Sequence, residues 1–97
     1  MKFNLKFMFF VYAISSLERN YIYVGLTDDL ERRFFEHNSG RNKTTKPYCP
    51  FKLIYFEECA TRLEARKREK YFKSGVGKEK LKVIRDNFEN EDSNSCT

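Results

Sequence analysis

A chain of 97 residues has enough length for one modest core and no second one. Aromatics make up 16% of it, ten Phe and six Tyr with no Trp, so they must supply most of that core. The formal charge of +5 is uneven: Glu89 to Thr97 holds three acids and no base, leaving 19 bases against 11 acids, +8, in residues 1–88. Such a balance points to a polyanion as partner, with solubility charge on ordinary helices as the plain alternative.

The chain opens on Met1-Lys2-Phe3-Asn4-Leu5-Lys6 and an apolar run from Phe7 to Ile14, which imitates a signal peptide. No small-x-small cleavage site follows, and the run is too short to span a bilayer, so it reads as a first strand and no membrane partner is expected. About five residues separate it from the alternating aromatic run Tyr21 to Gly25, and the pair reads as a hairpin. Phe10, Tyr12 and Ile14 share one face, as do Tyr21, Tyr23 and Gly25, which lets Tyr12 and Tyr23 meet across the ladder. Gly25 is expected to end the strand and permit the turn.

Thr27 or Asp28 then serves as N-cap, with Asp28-x-x-Glu31 as a capping box, for a helix from about Asp28 to Asn38. Asn38-Ser39-Gly40 stops it. Leu30, Phe34 and His37 form its inner stripe, so a histidine stands where an apolar residue is expected, with Arg33 one turn earlier on the flank. Residues 41–50 form a basic loop containing two prolines, and Phe51 to Glu57 makes a third strand. Thr61 caps a second helix reaching about Lys73, with Leu63, Ala65 and Phe72 on its apolar side and Glu69 at the edge of that stripe. Ser74-Gly75-Val76-Gly77 breaks it, and a third helix follows from Lys78 to about Asn87 with Leu81, Ile84 and Phe88 inward. The order predicts an α+β fold, a small three-stranded, mainly antiparallel sheet flanked by helices. One domain, residues 1–88, precedes a disordered acidic tail, 89–97. Cys49, Cys59 and Cys96 show no CxxC spacing, which argues against zinc or a disulfide framework and fits a reducing, cytoplasmic compartment.

These residues resemble the GIY-YIG nuclease domain, in particular its small stand-alone bacterial members, related to the N-terminal nuclease domain of the bacterial repair excinuclease and to homing endonucleases. Phe10-Val11-Tyr12 stands for the first motif, keeping the tyrosine and losing the glycine, and Tyr23-Val24-Gly25 is a near match to the second. Arg33 lies eight residues after the glycine, His37 four further on, and Glu69 falls in Lys67-Arg68-Glu69-Lys70. Glu36-His37-Asn38-Ser39-Gly40 and Lys73-Ser74-Gly75 also look like the small bacterial group, and the resemblance runs from residue 7 to about 85.

The resemblance implies a metal-dependent endonuclease acting on DNA, with Tyr12, Tyr23, Arg33, His37 and Glu69 as catalytic residues and one Mg²⁺ or Mn²⁺ on Glu69. The chemistry of those side chains is consistent with that. A divalent ion on one carboxylate keeps several waters and acts as a Lewis acid at a phosphate. Arg33 offers a guanidinium fork to the developing charge. A free tyrosine titrates near about 10, so a tyrosine base needs a cation beside it. The resemblance gives that role to Tyr23, with Tyr12 orienting water or phosphate or sharing it, and His37 relaying a proton or binding phosphate.

Taken singly, each residue has a plain explanation: an aromatic cross-strand pair, a solvated arginine, a C-terminal helix histidine, a Glu/Lys pair on a charged helix. Arg41, Lys43, Thr44, Thr45 and Lys46 in the loop, with Arg62, Arg66 and Lys73 beside Glu69, would supply salt-sensitive, largely sequence-independent nucleic-acid contacts. Duplex or structured DNA is the expected substrate, with RNA and the oligomeric state left open. The rivals are a catalytically inactive nucleic-acid-binding module of the same fold, and a protein adaptor using its positive face on an acidic partner.

Overall fold

The computed structural model of the chain describes residues 8–95, with side chains described through Phe88. Three strands and three helices follow in chain order: β1 (Phe9–Ser16), β2 (Ile22–Thr27), α1 (Leu30–Asn38), β3 (Phe51–Cys59), α2 (Arg62–Lys73) and α3 (Gly75–Ser95). The sheet is antiparallel throughout, ordered β2-β1-β3, so the most apolar strand takes the centre. The α+β fold expected from the element order is the one formed.

Alternation along β1 divides the core in two. Val11 and Ala13 face α2 and α3, packing with Ile22, Val24, Ile54, Ala65, Phe72 and Leu81. Tyr12 and Ile14 face the other way with Phe51, and Tyr23, Leu30 and Phe34 close that side under α1. A register shift at Ala13/Ile14 against β3 lets Ile54 and Tyr55 both turn toward α2 and α3. The hairpin closes tightly because the Ser16 hydroxyl oxygen accepts from the Glu18 and Arg19 amides, at 3.2 and 3.1 Å.

Several expected boundaries move. Phe7, expected in the first strand, lies outside the described residues. Gly25 does not end β2 or make the turn: the strand runs on to Thr27. The cap of α1 is Asp29, not Thr27 or Asp28; its carboxylate accepts from the Arg32 amide at 3.2 Å, while the Thr27 hydroxyl accepts from the Asp29 amide at 3.0 Å. Thr61 caps α2 as expected, accepting from Glu64 N at 3.1 Å. Leu63 is exposed rather than inward, and Phe88 is only partly covered.

The break between α2 and α3 shrinks to Ser74, because Gly77 lies inside α3 at the closest approach of the two helices. A Cβ there would stand 2.1 Å from the Tyr71 carbonyl oxygen. Nor does α3 stop near Asn87. No Gly or Pro follows Gly77, and the backbone stays helical to Ser95, through most of the stretch expected as a disordered tail. Residues 96 and 97 lie outside the described residues.

Candidate active site

Tyr12 stands mid-strand on β1, directly opposite Gly25 on β2. The tyrosine ring lies over the glycine: a Cβ at Gly25 would stand 2.5 Å from the hydroxyl oxygen and 2.6 Å from the ring carbon that bears it. Gly25 is therefore required by the close approach of Tyr12, not by a turn. Tyr23, two residues earlier on β2, shares that face, and its ring centroid is 6.3 Å from that of Tyr12.

The capped start of α1 fixes which of its residues look at the sheet. His37 faces it directly, its ring 4.9 Å from Tyr23, 5.8 Å from Tyr12 and 6.2 Å from Phe51. Its Nε2 is 2.8 Å from the Tyr12 hydroxyl and its Nδ1 is 2.8 Å from the Thr45 hydroxyl. Tyr12, His37 and Thr45 are each 1% exposed or less. Burial, assisted by the Arg33 charge, lowers the His37 pKa from 6.5 to about 4, so the imidazole is neutral at pH 7.

Burial likewise pushes the Tyr12 hydroxyl well above the ordinary tyrosine range. Tyr23 adds to the rise, Arg33 opposes it through charge and a side-chain hydrogen bond, and the Glu69 charge also reaches the same hydroxyl. Arg33 is half-buried and donates from Nη1 to Glu36 Oε1 at 2.9 Å, which holds the guanidinium in place. Glu69 comes from α2, on the other layer. Its side chain is 14% exposed and flanked by Lys73 Nζ at 3.2 Å and Arg66 Nη1 at 3.7 Å.

Tyr12, Tyr23 and His37 thus meet from β1, β2 and α1 with Arg33 beside them, while Glu69 approaches from α2 near enough for its charge to raise the Tyr12 hydroxyl pKa. The basic loop divides. Arg41, Lys43, Thr44 and Lys46 are exposed, Arg41 resting its guanidinium over the Phe35 ring at 5.5 Å. Thr45 is not a surface hydroxyl available to a phosphate: it is fully buried against His37. Arg62, Arg66 and Lys73 are exposed along α2, Arg62 lying over the Phe9 ring at 5.9 Å.

Two contributors escaped the sequence reading. Glu36 could have been found, because a carboxylate three residues after Arg33 lies on the same helix flank. Asn42, which accepts from the Thr45 amide at 3.1 Å and from its hydroxyl at 3.4 Å, carried no such signal.

A fixed guanidinium, a half-exposed phenol and a carboxylate around one buried phenol suit a phosphodiester and its attacking water. Among the described residues no group of three His, Cys, Asp or Glu side chains converges. A divalent ion here would rest on the Glu69 carboxylate with water in its other positions, a ligand set that Mg²⁺ and Mn²⁺ tolerate. No helix among the described residues is long and apolar enough to cross a membrane.

Comparison with known proteins gives one family match, described as the GIY-YIG catalytic domain, over residues 8–82. A UPF0213 protein of Clostridium perfringens is 37% identical over 78 residues, 79% of this chain and 83% of that protein. A UPF0213 protein of Listeria innocua is 46% identical over 65 residues, 66% of this chain and 71% of that protein. The solution NMR structure of the UPF0213 protein BH0048 from Bacillus halodurans aligns with a TM-score of 0.49 and 30% identity, covering 79% of this chain and 84% of that one.

Proposed function

Because the chain belongs to the GIY-YIG catalytic domain family, we propose that it is a metal-dependent endonuclease hydrolysing phosphodiester bonds in DNA, in repair, recombination or the processing of structured DNA. The observation that carries this reading is the gathering of Tyr23, Arg33 and His37 around the Tyr12 phenol.

Arg33 takes the non-bridging phosphate oxygens. Glu36 already fixes its guanidinium, so little ordering is left for the moment of reaction. Tyr23, as phenolate with Arg33 as the neighbouring cation such a base needs, is placed to accept the proton of the attacking water, since it is partly exposed whereas Tyr12 is sealed. Tyr12 and His37 form the floor against which Tyr23 and Arg33 are held. One Mg²⁺ or Mn²⁺ on Glu69 would supply Lewis-acid stabilisation of charge on the phosphate and the leaving oxygen.

Arg41, Lys43, Thr44 and Lys46, with Arg62, Arg66 and Lys73, form the docking surface for the phosphate backbone. A cytoplasmic location belongs to the same reading, in keeping with the free thiols of Cys49 and Cys59.

The test is cleavage of supercoiled plasmid and of a branched oligonucleotide in Mg²⁺, Mn²⁺ or EDTA. Nicking that requires the metal is expected. Binding to both substrates without cleavage under any metal would replace this reading with that of a nucleic-acid-binding module.

A further inference from the structure

Thr45 stands in a loop whose other hydroxyl and cations face solvent, yet its own side chain is completely buried. Its hydroxyl meets the Nδ1 of His37 at 2.8 Å and the Asn42 side-chain oxygen at 3.4 Å. Asn42 holds it there from three residues earlier, its side-chain oxygen accepting from the Thr45 amide. A buried polar side chain with such partners must satisfy each donor, and here the donors can be assigned one by one.

The Arg33 guanidinium near Tyr12 carries only donors, so it can take no proton from the phenol. The Tyr12 hydroxyl proton then needs an acceptor inside the core, and His37 Nε2 at 2.8 Å is placed to be one. The imidazole is neutral, so its one proton sits on Nδ1 and goes to the Thr45 oxygen. Thr45 passes its own proton to the Asn42 side-chain oxygen at 3.4 Å. The reverse assignment has Nε2–H donating to Tyr12 and leaves the phenol proton without a described acceptor, which is unfavourable for a buried group.

We propose that Thr45, seated by Asn42, is a positioning residue that fixes His37 as its Nδ1–H tautomer and thereby turns the Tyr12 hydroxyl proton inward. The Tyr12 lone pairs then face Arg33, the guanidinium that meets the phosphate. The consequence for Arg33 and the phosphate rests on the nuclease reading; the tautomer does not. It also ties the basic loop to the centre, since Lys43 and Thr44 lie between the two residues that set the imidazole.

His37 is the sole histidine of the chain, so its ring nitrogens can be read without assignment. The experiment is long-range ¹H–¹⁵N correlation NMR on wild type, Thr45→Val and Thr45→Ser at neutral pH, with plasmid nicking measured on the same samples. The wild type should show a protonated-type Nδ1 and a pyridine-type Nε2. Thr45→Val should move the proton to Nε2 or give a mixture, Thr45→Ser should restore the wild-type pattern, and nicking should fall about tenfold or more in the valine variant alone, the rate equivalent of one misplaced buried hydrogen bond.

An Nε2–H tautomer in the wild type, or an unchanged tautomer in folded Thr45→Val, overturns the proposal. So does a changed tautomer with undiminished nicking. If the wild type nicks nothing, the nuclease reading fails by itself, while the tautomer spectra still decide whether Thr45 sets His37.

Discussion

The ring of Tyr12 occupies the space a side chain at Gly25 would need, with the hydroxyl oxygen 2.5 Å from the position of the missing Cβ. Two residues from different motifs are therefore one structural unit, and the hydroxyl that His37 holds is placed by the absence of a methyl group on the next strand. Gly25→Ala is expected to push the Tyr12 ring off His37. Overpacking of this kind costs about 1–3 kcal/mol, and the variant should fold but lose most of its nicking. Thermal melting beside the plasmid assay checks it; a folded variant with wild-type activity would show that the ring position is not needed.

Stability should fall between pH 6.5 and pH 4 because of His37. Its folded-state pKa, about 4, lies below the ordinary 6.5. The unfolded chain therefore binds the proton first, and the contribution is full above 6.5 and lost as pH falls through 4. The loss is on the order of 1–3 kcal/mol. Urea titrations at pH 7 and pH 4.5 on wild type and His37→Gln test it: the gap between the two proteins should narrow at the lower pH.

Gly77 should matter for folding and not for chemistry. A Cβ there meets backbone of α2, the Tyr71 carbonyl oxygen and the Phe72 Cα, which cannot swing aside as a side chain would. Gly77→Ala should cost about 1–3 kcal/mol despite the better helix propensity of alanine. Nicking well below the melting temperature should be close to wild type.

The exposed loop cations should act through salt. Replacing Lys43 and Lys46 with alanine is expected to weaken binding similarly across DNA sequences and to flatten the salt dependence by about one unit of log–log slope per lost phosphate contact. Fluorescence anisotropy at several salt concentrations measures both. A variant with the wild-type slope would remove this loop from the docking surface.

The strands could be read in advance because their signals are local, whereas the candidate site residues were named together only through the family resemblance. Alternation marks β1 and β2, and the resemblance, carried by the order tyrosine, tyrosine, arginine, histidine, glutamate, implied which elements meet. The role of Gly25 was not legible, since it depends on a ring from the neighbouring strand. Thr45 looked like its neighbour Thr44; only tertiary packing separates a buried hydroxyl from an exposed one. Leu63 was misplaced because an apolar residue beside a helix start fits a stripe that the fold does not use. The length of α3 had a signal in the lack of glycine and proline after Gly77, outweighed by an acidic, serine-rich composition.

The central claim is that Glu69 and the tyrosine–arginine face form one hydrolytic site. The most direct measurement compares wild type with Glu69→Ala, purified alike, for nicking of supercoiled plasmid in Mg²⁺, alongside DNA binding by anisotropy. Metal-dependent nicking should disappear in the variant while its fold and DNA binding persist. Equal nicking by the two proteins would contradict it.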